Sequence, residues 1–385
     1  MCKGLIAMQS EEIFQPPHCP NKYCLRPYLK ARRFCESSPP YIVKGREFRL
    51  DGTIRQRFLC KYCRKSFSDA TFDLNFRFQK RARFNHRIFF GVLHNRSNRS
   101  LARELKVSEC LVRTRVLRLS QMALLRHHEF ISQIKINEDI AYDGLEAFAH
   151  SQYEPNNINQ AIGANSLFCY LFNFSPLNRK GRTSPRQRKY LANLEDAYGR
   201  FDPSAIRKAS LSVFKELIAR KDPRCRKLVL RTDEHFQYRR AIERDLKPEE
   251  RLQLEHLSVS SKATRNYKNI LFPVNHLDLL IRRKVAAFSR ETICFSKKAS
   301  RMFHKYVLYI CYKNYMKPQF VKKHEGNQRA HTDSPAMHLE LTTKLLKFSE
   351  FFGPRIVAPR LNHLPLDWSI HFNDMSPFNR SRAFA

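Results

Sequence analysis

The sequence has no apolar run near the roughly 18 residues that a membrane-spanning helix needs. A transmembrane protein is therefore not expected. The opening stretch Leu5-Ile6-Ala7-Met8 is too short for the core of a signal peptide, and Glu11 and Glu12 follow at once. No lipidation motif and no basic amphipathic anchor stand out, so a membrane partner is not expected either. No segment repeats, which sets aside solenoids and propellers. The 11 cysteines are odd in number and mostly scattered, unlike a disulfide framework. They fit a reducing compartment in which a few cysteines serve a metal, so the expected localisation is cytoplasmic.

Acidic residues are the other scarcity. Only 35 Asp and Glu stand against 71 Lys and Arg, a formal net charge of +36. Such an excess repels itself unless a polyanion neutralises it, and nucleic acid is the expected partner. Hydrophobic residues make up 42% of the chain, which excludes a disordered protein. A length of 385 residues is enough for two or three domains.

Four of the cysteines are paired in sequence. Cys19 and Cys24 form a C-x4-C knuckle, and Cys60 and Cys63 form a C-x2-C knuckle. Between them, Phe48 to Phe58 reads as a hairpin turning at Asp51-Gly52. Two knuckles joined by a hairpin are the layout of a zinc ribbon, because tetrahedral Zn²⁺ takes four soft ligands from two short loops. Cys35 reads as a loop or core residue, and His18 as a lesser substitute for Cys19. The zinc ribbon is expected over residues 1–80.

Residues 81–125 are expected to form a small helical DNA-binding domain. Ser100 to Leu105 reads as a short amphipathic helix, Lys106-Val107-Ser108 as a turn, and Glu109 to Leu119 as a second helix with Ser108 as its N-cap. Short helix, tight turn and basic helix make a helix-turn-helix pattern, though an ordinary helical hairpin has the same pattern. Arg113, Arg115 and Arg118 are placed to reach phosphates or base edges of double-stranded DNA.

From about residue 136 strands alternate with helices, which points to an α/β layer fold. Strands are expected at Ile140–Tyr142, Leu167–Phe174 and Lys227–Asp233. A helix is expected at Ala205–Arg220, and a largely helical stretch from Val274 to Tyr315 with a break near Phe295-Ser296. A basic loop, residues 178–189, follows the second strand. The α/β domain is expected over 135–318, and 319–385 as a partly ordered extension whose last ten residues are loose.

Asp143 and Asp233 each end an apolar run, and Asp278 lies early in the later helix. Two carboxylates at strand ends and a third on a helix can hold two Mg²⁺ ions, or Mn²⁺, for phosphoryl transfer. Gly144 leaves room beside such a site, and His235 is placed to touch a phosphate. Any one of these aspartates alone reads more simply as a turn residue. Glu291 rivals Asp278 as third acid. It lies thirteen residues further on, about 20 Å along an unbroken helix, so the two cannot share one site. Asp278 is preferred because it shares a helix face with Asn275 and Arg282 near the helix start.

The runs Phe58–Phe67, Tyr142–Glu146, Arg231–His235, Val274–Asp278 and Arg290–Lys297 carry a resemblance that spans residues 18–318. The chain resembles a bacterial insertion-sequence transposase with a zinc ribbon, a helix-turn-helix and a ribonuclease H-like Asp-Asp-Glu/Asp core. That resemblance implies an Mg²⁺-dependent DNA transposase that cuts the element's ends and transfers the freed 3′-OH to target DNA. It implies the terminal repeats and target DNA as partners, a homo-oligomer in the synaptic complex, and a place near the bacterial nucleoid. The chain departs from the family at Asn275, where many members carry a glutamate. Two other functions fit the same residues: a zinc-ribbon DNA-binding regulator with an inactive ribonuclease H-like core, and a repair nuclease that cuts without joining.

Overall fold

The computed structural model describes residues 16, 19, 21, 24, 41–48, 54–72, 83–289, 294–319, 333–352, 364, 365 and 368. They divide between two units, with the boundary between residues 82 and 83.

The N-terminal unit holds a three-stranded antiparallel sheet of β1 (Tyr41–Phe48), β2 (Ile54–Cys60) and β3 (Ser66–Ser68), in that order. Phe48 pairs with Ile54, as a hairpin requires. The turn expected at Asp51-Gly52 lies outside the described residues, as do His18 and Cys35. Phe58 is fully buried, with the Tyr41 ring edge-on at 5.3 Å and the Phe67 ring stacked at 5.6 Å. Among the described residues of this sheet, Cys60 is the other buried side chain. All of β1 after Tyr41 is exposed, including Ile42, Val43 and Phe48.

The second unit begins with α1 (Phe84–Leu93), α2 (Asn98–Leu105) and α3 (Glu109–Ser132). Ser97 caps α2 by accepting from the Ser100 N–H, and Ser108 caps α3 by accepting from the Leu111 N–H. Lys106 closes α2 in a left-handed conformation with φ 51°. The second helix expected to stop at Leu119 runs on to Ser132. Ala123, Leu124 and Ile131 continue its buried stripe, so it has no reason to stop earlier.

A five-stranded sheet follows, of β4 (Ile140–Phe148), β5 (Pro155–Gly163), β6 (Cys169–Pro176), β7 (Leu228–Asp233) and β8 (Leu254–Val259), in the order β6-β5-β4-β7-β8. β4, β5 and β6 run antiparallel to one another, whereas β7 and β8 run parallel to β4. The unit is thus mixed α/β. The helices are α4 (Pro185–Tyr198), α5 (Ala205–Ala219), α6 (Phe236–Arg240), α7 (Pro248–Leu252), α8 (Phe272–Lys284), α9 (Ala299–Cys311), α10 (Pro335–His338) and α11 (Phe348–Phe352). α5 covers one face of the sheet, where the Tyr142 hydroxyl donates to Ser210 Oγ at 2.9 Å and the Tyr142 and Phe214 rings meet at 4.8 Å. α9 covers the other, with Tyr306 against Phe172 at 5.1 Å.

The largely helical stretch expected from Val274 to Tyr315 holds two α-helices, and the interval between them is longer than the break expected near Phe295-Ser296 and contains it. α8 ends at Lys284, Val285 is extended, and α9 starts only at Ala299. The 20 Å ruler that separated Glu291 from Asp278 therefore fails, and Glu291 itself lies outside the described residues.

β6 is a sheet edge whose outward carbonyls are taken by side chains. His127 Nε2 donates to the Tyr170 carbonyl at 3.0 Å, and Trp368 Nε1 donates to the Phe172 carbonyl at 2.6 Å. Because a carbonyl only accepts, His127 carries its proton on Nε2, and its Nδ1 accepts from the Tyr315 hydroxyl at 2.8 Å. Burial holds that imidazole neutral, with its pKa down to about 3. The segment expected as a partly ordered extension adds core here: Phe351, Phe352 and Trp368 are buried, and the Trp368 ring stacks on Phe172 at 4.8 Å.

Candidate metal centres

Cys60 to Lys65 fold into a tight knuckle. The Arg64 N–H donates to the Cys60 carbonyl at 3.0 Å, and the Cys60 N–H donates to the Lys65 carbonyl at 3.1 Å. Arg64 takes a left-handed φ of 57°, uncommon for a residue with a Cβ. The Cys24 N–H reaches back to the Asn21 carbonyl at 3.0 Å. The knuckles bring Cys19 Sγ to 3.6 Å from Cys63 Sγ, and Cys24 Sγ to 3.8 Å from Cys60 Sγ. All four sulfurs lie within 4.8 Å of one another. Cysteine ligands about 2.3 Å from a tetrahedral zinc stand about 3.8 Å apart, so the spacing fits that ion. These cysteines are free thiols, with sulfurs much further apart than the roughly 2 Å of a disulfide. Burial pushes the Cys19 thiol well up. At Cys63 burial also raises the thiol, but hydrogen bonds from Asn21, Lys65 and the neighbouring thiols outweigh it and bring the pKa to about 7. A thiolate is the metal-binding form.

In the second unit the acids come from three elements. Asp143 is in mid-β4, not at a strand end, but the pairing of β4 with β7 stops just before it. Ile140 pairs with Leu230 and Ala141 with Arg231, so continuing the register sets Asp143 level with Asp233, the last residue of β7. Asp278 is in the second turn of α8, and Gln160 Nε2 donates to its Oδ1 at 2.5 Å. Burial, then the charges of Asp233 and Asp278, push the Asp143 carboxyl up to about 7. The Gly144 N–H at 2.7 Å and the Tyr238 hydroxyl at 3.4 Å pull the other way, both donating to Asp143 Oδ1. A proton or a divalent cation relieves such mutual repulsion. The three aspartates are set wider than the cysteines. Among the described residues only the cysteine set brings three or more donor atoms within 4.8 Å.

Gln160, which the sequence did not single out, shapes this pocket. Gln160 pairs directly with Asp143 across β4 and β5, is fully buried, and accepts from the Tyr306 hydroxyl at 2.7 Å through its Oε1. Its amide is thereby oriented so that the nitrogen faces Asp278. Arg282 ties α8 down by donating to the Glu146 and Phe288 carbonyls, both at 3.2 Å. Gly144 makes room, but not beside the carboxylates. A Cβ there would stand 2.1 Å from the Asn157 side chain, on the opposite face of the strand. Asn157 donates to Asn159 at 2.7 Å, Asn159 to Asn173 at 2.9 Å, and Asn173 to the Ala209 carbonyl at 2.8 Å. This amide ladder clamps the sheet to α5.

His235 caps α6 through Nδ1, which accepts from the Gln237 N–H at 3.3 Å. Burial keeps the ring neutral, so Nε2 holds the proton and is a donor. On α3, Arg113 is exposed and Arg118 half-buried, but Arg115 is only 3% exposed. Arg115 therefore does not present its guanidinium to a partner as the helix-turn-helix reading expected.

A comparison with protein-family models and one with curated proteins each return no match. No helix among the described residues is long and apolar enough to cross a membrane.

Proposed function

We propose that the chain is a DNA transposase with a ribonuclease H-like core, acting on the ends of an insertion element and joining the freed 3′-OH to target DNA. One observation carries this reading: Asp143 and Asp233 stand level on two adjacent parallel strands, and Asp278 on α8 is tied by hydrogen bond to Gln160, the residue that pairs with Asp143 across β4 and β5. The sheet order, with three antiparallel strands followed by two parallel ones, supports it. So does the net charge of +36.

Two Mg²⁺ or Mn²⁺ ions held by the three aspartates would supply the Lewis acidity and charge neutralisation that in-line displacement at phosphorus needs. The protein's own groups have distinct tasks. Gln160, fixed by Tyr306, holds Asp278 in the pocket. The His235 Nε2–H is free of the helix cap and can donate to a phosphate oxygen. Tyr238 donates to Asp143 and packs its ring on Tyr142 at 5.1 Å. In the N-terminal unit the four cysteines would hold one structural Zn²⁺ as a zinc ribbon; in the second unit the exposed Arg113 would meet DNA. Two ends must be joined, so the working form is a homo-oligomer.

The second reading, a DNA-binding regulator with an inactive core, is favoured by the wide setting of the three carboxylates. The deciding experiment sequences the DNA flanking the coding region for inverted repeats and uses a duplex bearing them, with Mg²⁺. Wild type should cut and join it, and Asp143→Asn should bind it without cutting. Binding without cutting by wild type would favour the regulator, and cutting without joining a repair nuclease.

A further inference from the structure

Between β6 and α5 the chain makes an excursion whose ends are pinned together. The Asn178 side chain donates to the Phe201 carbonyl at 2.9 Å and accepts from the Phe201 N–H at 3.0 Å. The excursion carries α4, which starts on a full capping box between Ser184 and Gln187. Leu194 is the one buried residue of that helix. A helix that covers so little of the core contributes little to stability through burial.

Its chemistry is one-sided. Arg179, Lys180, Arg182, Arg186, Arg188 and Lys189 lie in eleven consecutive residues, and no acid occurs from 177 to 194. All six except the half-buried Arg179 are exposed. The Arg179 guanidinium lies 5.6 Å from the centre of the Phe148 ring, and its Nε is buried without a hydrogen-bond partner. Next along α4, Tyr190 is 47% exposed, and its ring meets that of Tyr153 at 4.8 Å.

The arm's position follows from the sheet. β4, β6 and β7 all point the same way, since β4 and β6 both oppose β5 and β7 parallels β4. The end of β6, from which the arm springs, is therefore on the same side of the sheet as the end of β7 at Asp233. Three strand spacings, about 14 Å, separate those two strands.

We propose that residues 179–190 are a nucleic-acid guide. The basic face takes the backbone phosphates of a strand leading to the acidic pocket, and Tyr190 stacks an unpaired base at the strand's end. This rests on the transposase reading and adds to it a surface outside both the helix-turn-helix and the metal centres.

The test uses the full-length protein and two probes: a blunt duplex of arbitrary sequence and the same duplex with a short 3′ overhang. Binding is followed by anisotropy over a salt series. The triple variant K180Q/R182Q/R186Q should lose at least about tenfold in affinity for both probes. Its log–log salt slope should fall by roughly two to three, near 0.9 for each phosphate contact. The triple variant K135Q/R226Q/K227Q removes equal charge from exposed residues just before β4 and β7, at the opposite end of the sheet, and should stay near wild type. Tyr190→Ala should weaken overhang binding roughly five- to a hundredfold and leave the blunt duplex unchanged. Equal losses in the two triple variants, or none in either, would overturn the guide while leaving the transposase reading intact. A Tyr190→Ala variant that binds both probes like wild type would overturn the stacking role. A wild type that binds neither probe would overturn the transposase reading itself.

Discussion

The cysteine cluster and the acidic pocket are built on opposite principles. In the N-terminal unit the four sulfurs are drawn within 4.8 Å by two knuckles, while among the described residues of the sheet beside them only Phe58 and Cys60 are buried. In the second unit the three carboxylates stand wider apart and repel one another, but they rest on a sheet whose β5 and β6 are buried from end to end. A closed ligand set on a thin core is the pattern of a metal that holds a fold together. An open set on a thick core is the pattern of a metal that works on something else. The contrast predicts that removing metal unfolds one unit and silences the other.

The largest effect is expected at the cysteines. Cys60→Ser should abolish zinc binding and unfold the N-terminal unit, because structural zinc contributes on the order of 10 kcal/mol to folds of this size. Elemental analysis should find one zinc per wild-type chain. Limited proteolysis of the variant should digest the N-terminal unit and spare the second. A variant that keeps that unit protected would erase the contrast.

Next come the acids. Asp143→Asn and Asp233→Asn should each lower Mg²⁺-dependent end cleavage by on the order of 10³-fold, with DNA binding and folding nearly unchanged. Cleavage near the wild-type rate in either variant would move the metal site elsewhere.

The burial of Asp143, together with the repulsion from its neighbours, should be measurable as stability. The Asp143 pKa is raised in the fold, from an ordinary 3.8 to about 7. Its contribution is therefore full below about pH 4 and lost as pH rises through about 7. Without divalent cations the wild type should lose on the order of 2–4 kcal/mol across that window, and Asp143→Asn should flatten the curve. At pH 8, Mg²⁺ should raise the Tm of the wild type and not that of Asp143→Asn. Equal Mg²⁺ responses in thermal scans would count against a metal in the pocket.

Gln160→Leu should have a smaller effect, about ten- to a hundredfold in cleavage, because Asp278 stays in place but loses a positioning hydrogen bond. Mn²⁺, which tolerates imperfect oxygen geometry, should restore part of the rate. Asp278→Ala should be inactive in both metals, and an active Asp278→Ala would return the third ligand to Glu291.

The smallest expected effects separate two arginines on one helix. Arg113→Ala should weaken DNA binding and reduce the salt slope by about one. Arg115→Ala should leave the slope alone and lower the unfolding midpoint, since its side chain is part of the interior. Interchanged outcomes would mean that α3 docks through its other face.

Much of this was legible in the sequence where local chemistry dictates local structure. The β7 strand, the α5 helix, the Ser108 cap and the two cysteine knuckles each depend on residues within a few positions of one another. β5 was not legible. Pro155-Asn156-Asn157-Ile158-Asn159-Gln160 has poor strand propensity, and only the amide ladder to Asn173 and α5 makes those side chains acceptable in a buried strand. Missing β5 meant missing Gln160, whose partners lie 118 and 146 residues away. The burial of Arg115 was hidden for the same reason, because a basic residue's spacing on a helix does not tell which face packs. The break after Lys284 carries no glycine or proline signal.

The Trp368 bond to the Phe172 carbonyl joins residues 196 positions apart. At about 5–20 residues per second, a ribosome adds the tryptophan roughly 10–40 s after the strand it closes. For that interval the β6 edge lacks one of its side-chain covers, with His127 and Asn314 holding the Tyr170 and Cys169 ends. A message cut short before residue 368 would yield a chain carrying every proposed metal ligand with an open sheet edge, prone to pair with a neighbour. Truncation before Trp368 is thus expected to expose part of that edge without touching any residue of the proposed chemistry.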